Sequence, residues 1–208
     1  MHPDDLTARA RIRDAATAEF ASRGFASATI RGIAEQAGVS AALVQHHFGT
    51  KDGLREACDA RVLEYLRGET AAGLDEGRID DPAYISAVFT SAPPVLRYLA
   101  RALVDGSSAA AVVFDDMVAL TERYLVDRSG HSDAHTRAVV FAAMRLGVTV
   151  LHEHVSRGLG TDVFDDHALR VSRATLDIVA PELVPDGLAE RVRTGLDGYQ
   201  KSTEEGER

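Results

Sequence analysis

Apolar residues recur at three- and four-residue spacing along nearly the whole chain, and runs that alternate apolar with polar are scarce. Alanine, leucine and arginine, all good helix formers, are frequent. The pattern predicts an all-α protein. A first helix is expected over Asp5–Arg23, where Ile12, Ala16 and Phe20 make one stripe. Gly24 just past its end, with Phe25 folding back on Phe20, has the form of a helix stop. Thr29 is placed to cap a second helix whose inner face is Ile30, Ile33, Ala34 and Ala37, and Gly38 ends it. Ser40 caps a short third helix, Ala41 to His47, and Lys51-Asp52 opens a fourth that reaches toward Gly73. Further helices are expected near 83–91, 94–105, 109–128, 133–157, 165–180 and 186–200. Pro93 and Pro94 suit the first turn of a helix, where amides lack intrahelical partners. The polar tail after Gln200 reads as a frayed end.

Two of these helices carry more apolar surface than one core uses. Ala138 to His152 reads AVVFAAMRLGVTVLH, apolar on nearly every face, and a helix apolar all round must be covered all round. The 165–180 segment is similar, with Leu169, Val171, Leu176, Ile178 and Val179. One face serves the subunit core, and the other is expected to serve a second copy. The alternative is a central helix buried in a monomer.

Composition narrows the class. The chain has 208 residues, 45% hydrophobic and 26% charged, enough for a sizeable core and a solvated surface. No apolar run approaches 18 residues, so no transmembrane helix is expected, nor any role in a membrane. The first residues lack the basic and apolar regions of a secretory signal. Cys58 is the single cysteine, so no internal disulfide can form, which fits a reducing cytoplasm. Net charge is −9, which argues at first against nucleic acid. Its distribution softens that: residues 1–60 hold seven Arg and Lys against eight Asp and Glu, so the acidity sits in the remainder.

Candidate chemistry is thin. His152-Glu153-His154 has i, i+2 spacing, which puts the imidazoles on different helix faces, whereas a zinc hydrolase needs i, i+4. His131, His135 and His167 are scattered near helix starts. No glycine-rich phosphate loop or nucleophile elbow occurs, and Cys58 lacks a nucleophile signature. No metal, cofactor or catalytic residue is expected, and an enzyme is the outside alternative.

The stretch Thr29 to Lys51, TIRGIAEQAGVSAALVQHHFGTK, carries a function. Two short helices meet at a Gly-Val-Ser turn. Small Ala34 lets them cross closely, Gly38 permits positive φ, Val39 plugs the turn and Ser40 satisfies amides. Such a unit offers the start of its second helix to the DNA major groove. With Ala15-Ala16, Phe20, Gly24-Phe25, Thr29-Ile30-Arg31, Ile33-Ala34, Ala37-Gly38-Val39-Ser40, His47-Phe48, Lys51-Asp52 and Leu54, residues 10–60 resemble the tetracycline-repressor (TetR) family of bacterial regulators.

The resemblance implies a DNA-binding head over 1–50 and a helical regulatory and dimerisation domain over 51–208. It implies a homodimer through the helices near 133–157 and 165–180, double-stranded DNA with a palindromic operator as partner, and repression relieved by a small, partly apolar effector. A regulator without an effector, or an activator, stays open. Thr29 contacts phosphate with help from Arg31; Ser40, Ala41, Ala42 and Leu43 face the groove; Gln45, His46 and His47 supply base and phosphate contacts; Lys51 anchors phosphate. Val44 and Phe48 are buried. The chain departs from the family in having Ala42 for glycine, Val44 for leucine and Gln45 for tyrosine. A glutamine there either pairs with adenine or contacts phosphate or water. Leu43 either meets a thymine methyl or packs on a neighbouring side chain. In the family the pocket lies within the middle helices, which makes Tyr65, Phe89, Tyr98, Leu103, Phe114, Met117 and Met144 the candidate lining.

Overall fold

The computed structural model describes residues 3–124, 132–165 and 168–206. Among them are ten α-helices and no strand. They are α1 (Pro3–Ser27), α2 (Ile30–Ala37), α3 (Ala41–Phe48), α4 (Lys51–Thr70), α5 (Pro82–Val104), α6 (Ser108–Tyr124), α7 (Ala134–Val150), α8 (His152–Leu159), α9 (Ala168–Leu183) and α10 (Asp186–Gly206). A π-helical turn, Ala71–Asp75, continues α4, and a 3-10 turn, Arg78–Asp80, precedes α5. The chain forms two compact units: Met1–Leu66 with Pro94–Ala111, and Arg67–Pro93 with Val112–Arg208.

The first unit is built on the predicted stripe of α1. Ile12, Ala16 and Phe20 pack with Ile33 and Ala34 of α2, Val44 of α3, and Leu54, Cys58 and Val62 of α4. Ile12, Ile33, Leu54 and Val44 are fully buried, and each aliphatic side chain of that size contributes roughly 1.5–3 kcal/mol on leaving water. Tyr98 and Ala102 of α5 and Ala110 of α6 close the same core. Burial pushes the Cys58 thiol up to about 11, so it stays protonated at neutral pH and packs as a small apolar group.

One polar contact is set into this core. The Tyr98 hydroxyl donates to Asp59 Oδ1 at 2.6 Å, while Arg55 approaches the other oxygen at 4.0 Å. Burial raises the Asp59 carboxyl above its usual range, and the Tyr98 hydrogen bond and Arg55 oppose the rise. The folded state therefore holds this proton more tightly than the unfolded chain. Stability falls as pH climbs from the ordinary carboxylate value of 3.8 through the raised one. Tyr98→Phe removes the principal hydrogen bond to the ionised form. We expect it to cost about 1–3 kcal/mol at neutral pH and progressively less on acidification. Thermal unfolding in neutral and mildly acidic buffers checks this; a pH-independent loss would assign the effect to packing.

In the second unit, Tyr84 and Ile85 of α5 pack with Leu196 of α10, and the rings of Phe89 and Tyr199 stack edge to face at 5.1 Å. Arg191 Nε bonds Asp80 Oδ2 at 3.0 Å and its other end reaches the Gly77 carbonyl. Val118 of α6 packs with Ala138 and Ala142 of α7, and Leu176 of α9 with Ala189 of α10.

Several boundaries differ from the sequence reading. The predicted break at Pro93-Pro94 is absent, and α5 runs through both prolines. Each proline removes one helical hydrogen bond. Pro93 is buried and Pro94 exposed. The boundary between the compact units falls between these prolines. The single helix expected near 133–157 is instead α7 and α8, bent by 69° at Leu151. Gly147 and the β-branched run Val148-Thr149-Val150, all weak helix formers, lead into the bend. His131, His167 and the end of the segment expected at 109–128 lie outside the described residues. No single helix among the described residues is long and apolar enough to cross a membrane.

Candidate nucleic-acid interface

The head is organised by its helix ends. Thr29 Oγ1 accepts the amide of Gly32 at 3.0 Å, and Ser40 Oγ accepts that of Leu43 at 3.2 Å. Each hydroxyl acts as acceptor in its cap, so its own proton is still available to donate outward, toward a phosphate oxygen. Gly38 takes φ 66° and ψ 39°, the left-handed turn expected of it, and Val39 N–H bonds the Ala34 carbonyl at 3.0 Å. Ala34 is buried where α2 meets α3.

α3 is two-faced. Ala41, Ala42, Gln45 and His46 are exposed and share one side by their spacing. Val44 is fully buried, and Leu43 and Phe48 are half-buried against the head core. Leu43 thus takes the packing role, and Phe48 is less buried than expected because α3 ends there. His47 is half-buried, its ring 6.1 Å from Phe48 and 5.5 Å from His46. Arg31 is exposed on α2 and pairs with Glu35 at 2.9 Å.

Lys51 has a different role from the phosphate anchor that the family pattern implies. Its ammonium donates to the carbonyls of Phe25 at 2.7 Å and Ala28 at 3.0 Å, with Ala26 at 3.4 Å, and lies 4.5 Å from the Phe25 ring centre. The three donors are spent on the end of α1, where carbonyls lack helical partners. Lys51→Met keeps the stem and removes the charge. It should cost about 1–2 kcal/mol of stability, the site being only half-buried. An unchanged melting temperature, with a salt dependence of DNA binding shallower by about one unit, would return Lys51 to the phosphate role.

Three supporting residues escaped the sequence reading. Thr50 Oγ1 caps α4 through the Gly53 amide at 3.0 Å. Arg11 Nη2 bonds the carbonyls of Ala37 at 3.0 Å and Gly38 at 3.4 Å, closing the end of α2. Exposed Arg9 lies over the Phe48 ring at 5.3 Å, bringing a cation to the end of α3. The available signal was the spacing of Arg9, Arg11 and Arg13, which fans three cations around α1.

Residues 12–58 match the family described as bacterial regulatory proteins, tetR family. Over 127 residues the chain is 44% identical to the HTH-type transcriptional regulatory protein RaaS of Mycobacterium tuberculosis, a span of 60% of this chain and 58% of that protein. Residues 12–58 thus carry the DNA-binding head of the tetR family. The match covers less than two thirds of that relative's length. The TetR family protein CprB of S. coelicolor A3(2) superimposes with a TM-score of 0.65, at 20% identity over 95% of this chain and 98% of the other. A gamma-butyrolactone receptor (ArpA like protein) gives 0.64 at 22% identity, over 95% and 99%. These two likenesses show that the fold shared with those proteins extends beyond the head.

Of the seven candidate pocket residues, Tyr65, Tyr98 and Leu103 lie in the first unit and Phe89, Phe114, Met117 and Met144 in the second. Tyr98 is buried in the head core with its hydroxyl on Asp59, Leu103 packs on that core, and Tyr65 is half-buried on α4. Phe89 belongs to the α5–α10 cluster. Phe114 and Met117 lie together against Val118, Ala138 and Ala142. Met144 is 55% exposed, because two residues beyond Ala142 is about 200° around the helix and puts it on the outer face. His152 stacks on Phe164 at 4.9 Å, a packing role. Among the described residues no group of three His, Cys, Asp or Glu side chains converges as metal ligands would.

Proposed function

We propose that this chain is a cytoplasmic transcriptional repressor that binds a palindromic operator as a homodimer and is released by a small molecule. The observation that carries DNA reading is the exposed face of α3, Ala41, Ala42, Gln45 and His46, on a helix whose opposite side is held by a buried core. Small side chains at its N-terminal turn allow close approach to base edges, and its free amides and dipole favour phosphate. We assign this work to residues 1–50, and the effector response and dimerisation to 51–208. The relative RaaS, by its name a transcriptional regulator, supports the same reading. Nothing in the chain's chemistry favours an enzyme over this role.

The dimer rests on apolar residues left outside. Val140 and Met144 on α7 are 52% and 55% exposed, one turn apart, with Leu151 on the same side, and Ile178 on α9 is 72% exposed. Side chains of this kind, grouped on helices of a water-facing unit, mark a contact surface. Sedimentation at micromolar concentration should give a dimer, and a stable monomer would overturn this part.

The deciding experiment selects genomic fragments on the immobilised protein and tests them by gel shift. A dyad-symmetric site with half-sites about 34 Å apart, or a multiple of that, is expected. Binding without sequence preference would refute the proposal. On the selected operator, Gln45→Ala should change base preference at one position per half-site; a uniform loss across sequences would make Gln45 a phosphate contact.

A further inference from the structure

The first unit holds a cleft of about 310 Å3 between α1, the end of α3 and α4. Arg9 and Arg13 of α1 and Arg61 of α4 stand around an apolar floor of Phe48, Ala57 and Ala60. Positions 9 and 13 are four residues apart, which puts both side chains on one side of α1. Other arginines of this unit are committed to the fold: Arg11 to the carbonyls of Ala37 and Gly38, Arg23 to Glu19, Arg31 to Glu35 and Arg55 to Asp59. The three in the cleft are held loosely. Arg9 is exposed over the Phe48 ring. Arg13 approaches Asp14 at 3.6 Å and Arg61 approaches Glu64 at 3.4 Å, and these carboxylates are 73% and 76% exposed. Exposed pairs of this kind contribute little and give way to a better acceptor. Deeper in, Arg13 Nε is shut off from water and has no acceptor among the described residues. A buried N–H left in that state is costly, and a modest rotation toward an oxygen in the cleft removes the cost.

We propose that this cleft binds a small phosphate monoester with a planar organic group, of the size and shape of a nucleoside monophosphate. Three guanidiniums against one lining carboxylate, Glu64, leave two positive charges, which balance the dianion of a phosphate monoester. Each guanidinium fork can take two phosphate oxygens. The volume lies at the lower end of the range for small-molecule sites and is more than an inorganic ion fills. Phe48 and the two alanines bound the remaining space with apolar surface, and Arg9 offers a planar cation on which a ring can stack. A DNA backbone is the other source of phosphate. It carries its charges on the outside of a rod, so it meets exposed Arg9 and Arg61 before Arg13, whose side chain is 27% exposed. A small ester enters the cleft and reaches all three. This ligand is separate from the effector assigned to residues 51–208.

The test uses the full-length protein without DNA, titrated calorimetrically at low salt with AMP, GMP, CMP, UMP and phenyl phosphate, and with inorganic phosphate, the nucleosides and phenol. At least one ester should bind saturably, one per chain. Inorganic phosphate and the matching nucleoside or phenol should bind at least about tenfold more weakly, the worth of a charged hydrogen bond. Arg13→Met and Arg61→Met should each weaken the ester at least about tenfold. Arg157→Met takes the same charge from an exposed position on α8 and should leave binding unchanged. Melting temperatures separate lost binding from lost folding, and exposed Arg61 carries the test if Arg13→Met unfolds. No saturable binding by any ester, equal binding of the ester and its parts, unchanged affinity in Arg61→Met, or an equal loss in Arg157→Met would each overturn the proposal. Gel shift on the selected operator separates the two sources of phosphate. If no ester binds and both cleft variants make the salt dependence of DNA binding shallower by about one unit, the cleft takes backbone phosphate and the proposal fails. No shift from the unsubstituted protein sinks the operator reading instead, and the cleft is then judged by calorimetry alone.

Discussion

An alanine at position 24 is expected to lower the stability of the head by about 1–3 kcal/mol, which for a protein of this length is a fall of roughly 2–10 °C in melting temperature. Gly24 interrupts α1 with φ 75° and ψ 159°, a region open to glycine and closed to residues with a Cβ. The turn it makes brings Phe25 onto Phe20, ring centres 5.5 Å apart, and aims the last carbonyls of α1 at Lys51. A Cβ there would also stand 2.5 Å from a nitrogen of Arg101. That contact is the lesser cost, since Arg101 is flexible and can swing away from its pair with Asp105. The backbone has no such escape: relaxing φ moves Phe25, and with it the seat of Lys51 and Arg55, both of which lie over its ring. Gly68 is the matching control. It is exposed within α4, and a Cβ there meets nothing within 4 Å. Gly68→Ala should therefore stabilise by about 0.5–1 kcal/mol through helix propensity. Equal effects of the two substitutions in thermal unfolding would refute the account of Gly24.

The contrast between these glycines marks what was readable in advance. Gly24, Thr29, Gly38 and Ser40 act through local chemistry, a cap or a positive φ, and their roles follow from residue type and a few neighbours. The stripe Ile12, Ala16 and Phe20 was equally readable, because helical spacing dictates which side is buried. Lys51 was not. Its partners are carbonyls more than twenty residues away, so its place at the start of α4 suggested phosphate while the fold turned it inward. The prolines misled as well: Pro93-Pro94 is a strong local break signal, yet α5 runs through both. Met144 and Tyr98 show the limit for the pocket. Residue type nominated both, but helix phase puts Met144 outside and a single hydrogen bond commits Tyr98 to the head.

Ala42→Glu should abolish operator binding while leaving the fold untouched, the largest functional effect expected of any single surface change here. Ala42 is the second residue of α3 after the Ser40 cap, exposed beside Gln45 and His46. A glutamate at that position meets the positive end of the helix dipole and should stabilise α3 by about 0.3–1 kcal/mol. Against DNA the same carboxylate faces phosphates and the acceptor-rich major groove. Juxtaposed like charges cost several kcal/mol, and each 1.4 kcal/mol is tenfold, so affinity should fall at least about 100-fold. A homodimer on a palindrome carries the change in both half-sites, which deepens the loss. High salt should narrow the gap by screening and by weakening the unsubstituted protein. Leu43→Ala gives the complementary result: Leu43 packs on the head core, so stability and DNA binding should fall together. Gel shift and thermal unfolding on both variants distinguish a groove-facing surface from a supporting one. If Ala42→Glu bound the operator normally, α3 would not be the reading helix. If it bound poorly only because it melted early, the exposed face of α3 would be structural instead. A loss of binding at an unchanged or raised melting temperature is the outcome that only a DNA-facing α3 produces.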